Sequence, residues 1–270
     1  MKIAQIQMKV TPDKETNLRH AGDLIRQAAA EGIDMAVLPE LFVCTFDQDV
    51  HGSAEEEGGH VWQVLSTLAR ELGIWIIGGT IPERAGEKYY NTCYVFDAQG
   101  RQAARCRKTH LCDTRVPGSA GFGESELFSP GRDVTVFDTP WGKMGLCICY
   151  DFRFEEQSRL MALQGAQVIF VPAAFNMTTG PAHWEILFRQ RAVDNQLFTV
   201  GVAPARNPES SYVSWAHSMV CDPWGTVIRD CGEAECASVT EMDLEQVASV
   251  RWQLPLLEQR REDLYEIRKK

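Results

Sequence analysis

Apolar residues alternate with polar ones through Ile6, Met8 and Val10, the spacing of a strand with one buried face. Thr11-Pro12-Asp13 breaks the alternation. Leu18, Ala21, Leu24, Ile25 and Ala28 then recur at intervals of three and four, predicting a helix that stops at Gly32. A short apolar run, Met35-Ala36-Val37-Leu38, closes at Pro39-Glu40. Val61, Val64, Leu65, Leu68 and Leu72 predict a second helix, stopped by Gly73, and Ile74-Trp75-Ile76-Ile77 reads as a strand covered on both faces. Residues 91–96 and 102–107 read as two strands joined by the turn Ala98-Gln99-Gly100.

The second half repeats this grammar. Val134 to Phe137, the turn Thr139-Pro140-Trp141-Gly142 and Met144 to Cys149 predict a hairpin ending at Tyr150-Asp151. A helix over 155–163, a buried strand Val168–Val171, a helix over 183–195 and a strand over 197–202 follow. Two further strands flank Asp222-Pro223-Trp224. Alternating strands and helices with interleaved hairpins predict an α/β fold with mixed sheets. No linker or low-complexity segment divides the 270 residues, so one domain over 1–270 is expected, with a charged, proline-broken arm at 252–270.

Composition narrows the function. The chain has 27 Lys+Arg against 37 Asp+Glu, a formal charge of −10, which argues against a broad nucleic-acid or anionic-membrane surface. No apolar run approaches the ~18–20 residues of a membrane span. Polar residues interrupt the first ten positions, where a signal peptide needs an apolar stretch. Nine cysteines, an odd and scattered set, fit reduced thiols in a cytoplasmic protein. Cys106, His110 and Cys112 form C-x₃-H-x-C, which is no standard zinc spacing and surrounds Lys108. No glycine-rich loop has phosphate-binding spacing, so neither a metal nor an organic cofactor is expected. His183-x-Glu185 is not H-E-x-x-H and reads as a packing and hydrogen-bonding pair.

Three reactive residues, Glu40, Lys108 and Cys149, each fall at the end of an apolar strand, where open α/β sheets collect ligands. Singly, each has a bland reading: a solvated carboxylate, a surface lysine, an inert core thiol. Together they suit acyl transfer. A thiol attacks a carbonyl as thiolate, Glu40 can accept its proton, and Lys108 can favour the thiolate and stabilise the oxyanion.

Cys149-Tyr150-Asp151-Phe152-Arg153-Phe154, with Pro39-Glu40-Leu41 and Lys108-Thr109-His110-Leu111 upstream, resembles the nitrilase (carbon–nitrogen hydrolase) superfamily along nearly the whole chain. Residues 175–185, 191–196 and 212–218 resemble its ω-amidase branch. The resemblance implies a four-layer α-β-β-α sandwich, paired into a homodimer. It implies catalytic roles for Glu40, Lys108 and Cys149, and an assisting glutamate at Glu124 in Gly121-Phe122-Gly123-Glu124-Ser125. It also implies that the Tyr150 N–H joins Lys108 in the oxyanion hole. Two departures stand out: Glu155 replaces a usual proline, and Val43-Cys44-Thr45-Phe46 replaces a small-residue, proline, tyrosine segment beside the substrate.

The expected substrate is a short dicarboxylic monoamide such as 2-oxoglutaramate or 2-oxosuccinamate. Such a molecule needs a fixed cation for its free carboxylate, and Arg153, four residues after Cys149, is the candidate, with Phe175 as a wall. Arg153 could equally pair with Asp151 or Glu155. Other activities of the superfamily (nitrilase, carbamoylase, deaminated-glutathione amidase) and a non-catalytic scaffold are the alternatives.

Overall fold

Thirteen strands form two mixed sheets in the computed structural model, which describes residues 1–46, 50–116, 123–210 and 212–270. The first sheet contains β1 (Lys2–Gln7), β2 (Met35–Val37), β3 (Trp75–Ile77), β4 (Ile81–Ala85), β5 (Lys88–Phe96), β6 (Gln102–Arg107) and, from the far end of the chain, β13 (Cys236–Glu241). Its order is β13-β1-β2-β3-β5-β4, with β6 also paired to β5. The second sheet has the order β12-β11-β10-β9-β8-β7 and uses β7 (Thr135–Thr139), β8 (Gly142–Leu146), β9 (Val168–Pro172), β10 (Phe198–Val202), β11 (Met219–Cys221) and β12 (Val227–Asp230). Each sheet has a parallel centre, β1-β2-β3 or β8-β9-β10, with antiparallel strands outside it.

Period-two alternation decides what each face covers. Ile3, Met35 and Val37 pack with Met144, Leu146, Phe170 and Val200, joining the two sheets in one core. Ala4, Ile6 and Ala36 point the other way, onto Leu18 and Ile25 of α1 (Lys14–Ala29) and Leu65 and Leu68 of α2 (His60–Leu72). On the outer face of the second sheet, Gly145 lies under Met161 of α3 (Glu155–Leu163), and Gly201 under Trp184 and Phe188 of α4 (Gly180–Asn195). The layers are therefore α-β-β-α, as the resemblance implied. A last helix, α5 (Glu245–Gln253), precedes the arm, which among its described residues forms turns rather than another helix. No helix among the described residues is long and apolar enough to cross a membrane.

The predicted elements differ from the observed ones where tertiary pairing overrides local pattern. β13 and α5 carry no clear apolar period, and β13 exists because β1 offers it an antiparallel edge along its whole length. Residues 147–148 leave the predicted hairpin strand, and Cys149–Arg153 turn into a 3₁₀ segment. Residues 215–218, predicted as strand, are irregular, with Ala216 and His217 at positive φ.

The glycine pair after β3 fixes the β2 end. Thr80 N–H donates to the Pro39 carbonyl at 3.1 Å, and the Thr80 hydroxyl accepts from Leu41 N–H at 2.8 Å. Gly79 sits at φ +57°, and a Cβ there would lie 2.2 Å from the Pro39 oxygen. Gly79→Ala is expected to destabilise the protein by about 1–3 kcal/mol, through backbone strain and the forced retreat of Pro39-Glu40. The urea midpoint measures it, and a wild-type midpoint would show that the turn relaxes freely.

Candidate functional site

The ends of β2, β6 and β8 meet at one point between the sheets. Lys108, immediately after β6, is 1% exposed and donates from Nζ to Glu40 Oε1 at 2.9 Å and to Glu124 Oε1 at 2.7 Å. Asn91 Nδ2 donates to the same Glu40 oxygen at 2.9 Å. Glu124, on the short 3₁₀ turn 124–126, uses its other oxygen to accept the Cys112 N–H at 2.6 Å. Each carboxylate is thus held from two directions, and the ammonium keeps its third proton for another acceptor.

Cys149 opens the 3₁₀ turn at φ +46°, a left-handed conformation that is costly for a residue with a side chain. Leu41, next to Glu40, has the same φ. Asp151, fully buried, holds the Cys149 turn against the Lys108 loop. It accepts from Ile148 N–H (3.1 Å), Thr109 N–H (3.1 Å), the Thr109 hydroxyl (2.7 Å) and His110 N–H (2.7 Å), and it contacts His110 Nδ1 at 2.9 Å. Tyr150 follows Cys149 in the first turn, where a backbone N–H has no intrahelical acceptor.

Burial is the largest influence on Cys149, Glu40 and Lys108. It pushes the Cys149 thiol well above the ordinary cysteine range, and the Glu40 charge pushes it further, while Lys108 pulls it down without prevailing. Burial also raises the Glu40 carboxyl; Lys108 opposes this and Glu124 adds to it, with the Cys149 thiol a weak donor that lowers it. Lys108 stays well above the ordinary lysine value, because Glu124, Glu40 and Cys149 together outweigh its burial. Lys108 thus favours the thiolate, as expected, while burial and the Glu40 charge oppose it.

A cavity of about 180 Å³ opens on Cys149 and is lined by Cys112, Tyr150, Arg153, Phe175, His183 and Tyr212 among others. The Arg153 guanidinium lies 4.6 Å from the Phe175 ring centroid and donates from Nη1 to His183 Nδ1 at 3.1 Å.

The carbon–nitrogen hydrolase family profile matches residues 2–252. The chain belongs to this family. It is 45% identical to omega-amidase NIT2 of Danio rerio, over 98% of this chain and 96% of that protein. Its identity to omega-amidase NIT2 of Homo sapiens is 43%, over 100% and 98%. Among solved structures it resembles Saccharomyces cerevisiae Nit3 of the nitrilase superfamily, with TM-score 0.88 and 39% identity, covering 97% of this chain and 96% of that one. The amidase from Nesterenkonia sp. AN1 superposes with TM-score 0.79 at 26% identity, over 98% and 95% of the chains. In that structure the acetamide moiety of fluoroacetamide is covalently added at the active-site cysteine.

The hydrolase brings together Glu40, Lys108, Glu124, Cys149, Tyr150, Arg153 and Phe175, and it gives Arg153 and His183 other partners than expected. Arg153 forms no ion pair with Asp151 or Glu155 among the described residues: Asp151 is filled by the Lys108 loop, and Arg153 turns to His183 and the aromatic rings. His183 and Glu185 are not a pair either, since Glu185 bonds Arg189 at 3.1 Å. The Cys106, His110 and Cys112 set is dispersed. Cys106 contacts the Leu146 carbonyl, His110 stacks on Phe154, and no cluster of three metal-binding side chains exists among the described residues. Gly121 and Phe122 of the Glu124 motif lie outside the described residues. Asn91, Asp151, Cys112 and Tyr212 were not singled out for the site. Asn91 gave one signal, an amide opening a mostly apolar strand.

The raised Glu40 carboxyl has a measurable consequence for the hydrolase. A base must be ionised, so kcat/KM should fall as pH drops through the raised Glu40 value, above the ordinary glutamate figure of about 4.3. Glu124→Gln removes one of the charges that raise it and is expected to move this acid limb to lower pH. An unmoved limb would mean that another group sets it.

Proposed function

We propose that the protein is an ω-amidase, hydrolysing a short dicarboxylic monoamide of the 2-oxoglutaramate or 2-oxosuccinamate type to the dicarboxylate and ammonia. The observation that carries the reading is Arg153. It borders the cavity that opens on Cys149, and it has no carboxylate partner among the described residues. A guanidinium can grip a carboxylate bidentately, and the Phe175 ring beneath it excludes water and strengthens the contact. The cavity, about 180 Å³, is below the roughly 300–1,000 Å³ of sites for larger ligands, which suits a short acyl chain. Relatives at 43–45% identity over essentially the whole chain are named omega-amidases.

In this reading Glu40 takes the Cys149 proton as the sulfur attacks the amide carbon. The developing oxyanion is met by the third Lys108 proton and by the Tyr150 N–H. Glu40 passes the proton to the leaving nitrogen, ammonia departs, and a thioester remains. Water then attacks the thioester with Glu40 again as base. Glu124 holds Lys108 in line, and its grip on the Cys112 N–H ties that loop to the cluster.

Cys149→Ala is expected to abolish ammonia release, and Glu40→Gln and Lys108→Ala to cost at least ~10²-fold each. On a carboxylated amide and a neutral amide of equal length, Arg153→Ala and Arg153→Lys should lose far more on the acid. Equal losses on both would remove the carboxylate anchor from the proposal. Near wild-type rates in any of the other three variants would remove that residue's role.

The proposal extends to a homodimer of single-domain chains over 1–270, with 252–270 as an arm. Ile186 and Val193 on α4 are 60% and 43% exposed, beside Trp224 at 61%, and together they line one groove. Solvated monomers seldom leave such a strip uncovered. Light scattering should give twice the 30.3 kDa chain mass, with one cooperative unfolding transition; a 30.3 kDa particle at micromolar concentration would refute the dimer.

A further inference from the structure

A second, smaller cavity, of about 30 Å³, adjoins the catalytic cluster. It is lined by Glu40 but not Cys149, whereas the larger cavity is lined by Cys149 but not Glu40, and Tyr212 borders both. The Tyr212 ring stacks on Phe46 at 4.5 Å, and its hydroxyl donates to the Ala174 carbonyl, so the partition is held at both ends. A volume of this size has room for one or two waters. Glu40 is the only charged residue among the described residues lining it.

Two buried polar atoms belong to residues that line this cavity and have no hydrogen-bonding partner among the described residues: Glu40 Oε2 and Thr45 Oγ1. Thr45 is 8% exposed and Glu40 1%. Buried polar groups are nearly always satisfied, and a water held in such a place needs two or more polar partners. Thr45 also lies in Val43-Cys44-Thr45-Phe46, the segment that departs from the small-residue, proline, tyrosine pattern of the ω-amidases.

We propose that this cavity holds the water that hydrolyses the thioester, and that Thr45 is a positioning residue, orienting that water against Glu40 Oε2. The inference rests on the roles given above to Glu40 and Cys149. In the resting enzyme the Cys149 thiol is a weak donor beside the Glu40 carboxylate. Once the sulfur is acylated it has no proton to give, and Oε2 then depends on water. The water oxygen bonds to the thioester carbon while one of its protons passes to Glu40. The carbon–sulfur bond breaks, and Glu40 returns that proton to the Cys149 thiolate. The acyl chain enters from the Cys149 cavity and the water from the Glu40 cavity, and the two meet where the Glu40 carboxylate faces the Cys149 sulfur.

The test compares Thr45→Val, which keeps the shape and removes the hydroxyl, with Thr45→Ser, which keeps the hydroxyl. Rapid quench with intact-mass detection follows the Cys149 adduct, and ammonia is measured in the same samples, using whichever amide the wild type turns over fastest. Thr45→Val should slow thioester decay about 10-fold, the scale of one lost hydrogen bond to a reacting group, with an ammonia burst equal to the enzyme and an unchanged kcat/KM. Thr45→Ser should restore the decay rate. Wild-type decay in Thr45→Val, or equal falls in kcat and kcat/KM in both variants, would overturn the assignment. Absence of any Cys149 adduct in wild type and variants alike would instead defeat the thioester reading on which it rests.

Discussion

The Lys108 ammonium, buried and shared between Glu40 and Glu124, is the interaction on which the site depends. Removing a cation from water costs several kcal/mol, and only good geometry with opposite charges recovers that cost. Here the geometry comes from three separate segments: the β2 end, the β6 end and the 3₁₀ turn at 124–126 must all arrive for the charge to be tolerated. Burial of the same cluster raises both the glutamate and the thiol, and Lys108 pulls both back down.

Around this cluster, the fold supplies rigid ends rather than flexible loops. Asp151 links the turn that carries Cys149 to the loop that carries Lys108, and Thr80 links the β3 end to Glu40. Two left-handed residues, Leu41 and Cys149, flank or form the reactive groups, and the surrounding hydrogen bonds hold that strain. The cavities are arranged by the same elements. Arg153 leaves the 3₁₀ turn toward one cavity, and Thr45 follows β2 toward the other.

Several elements are legible in local pattern because the physics behind them is local. A period of 3.6 in α1 and α2 and continuous apolar runs in β3 and β9 leave few other structures open to those residues. β13 could not be read that way, since its pairing with β1 joins residues 229 to 239 positions apart. The strand expected through Cys149 failed for a related reason. Its apolar run continues to Ile148, but the carboxylate of Asp151 captures the Ile148 N–H and turns the chain.

The sequence by itself determined the alternation of elements, the mixed character of the sheets and the residues Glu40, Lys108 and Cys149 as a set. Those properties follow from side-chain periodicity and from motifs that carry their own chemistry. Tertiary structure decided the partners. Arg153 had acids two residues away on either side, Asp151 and Glu155, yet it bonds His183, thirty positions along the chain, because the Lys108 loop had already filled Asp151. Likewise burial and the Glu40 charge raise Cys149 against the pull of Lys108, and Glu124 meets Lys108 from sixteen positions along the chain. Electrostatic competition of this kind is settled by distance and burial, and neither quantity exists before the sheets have packed.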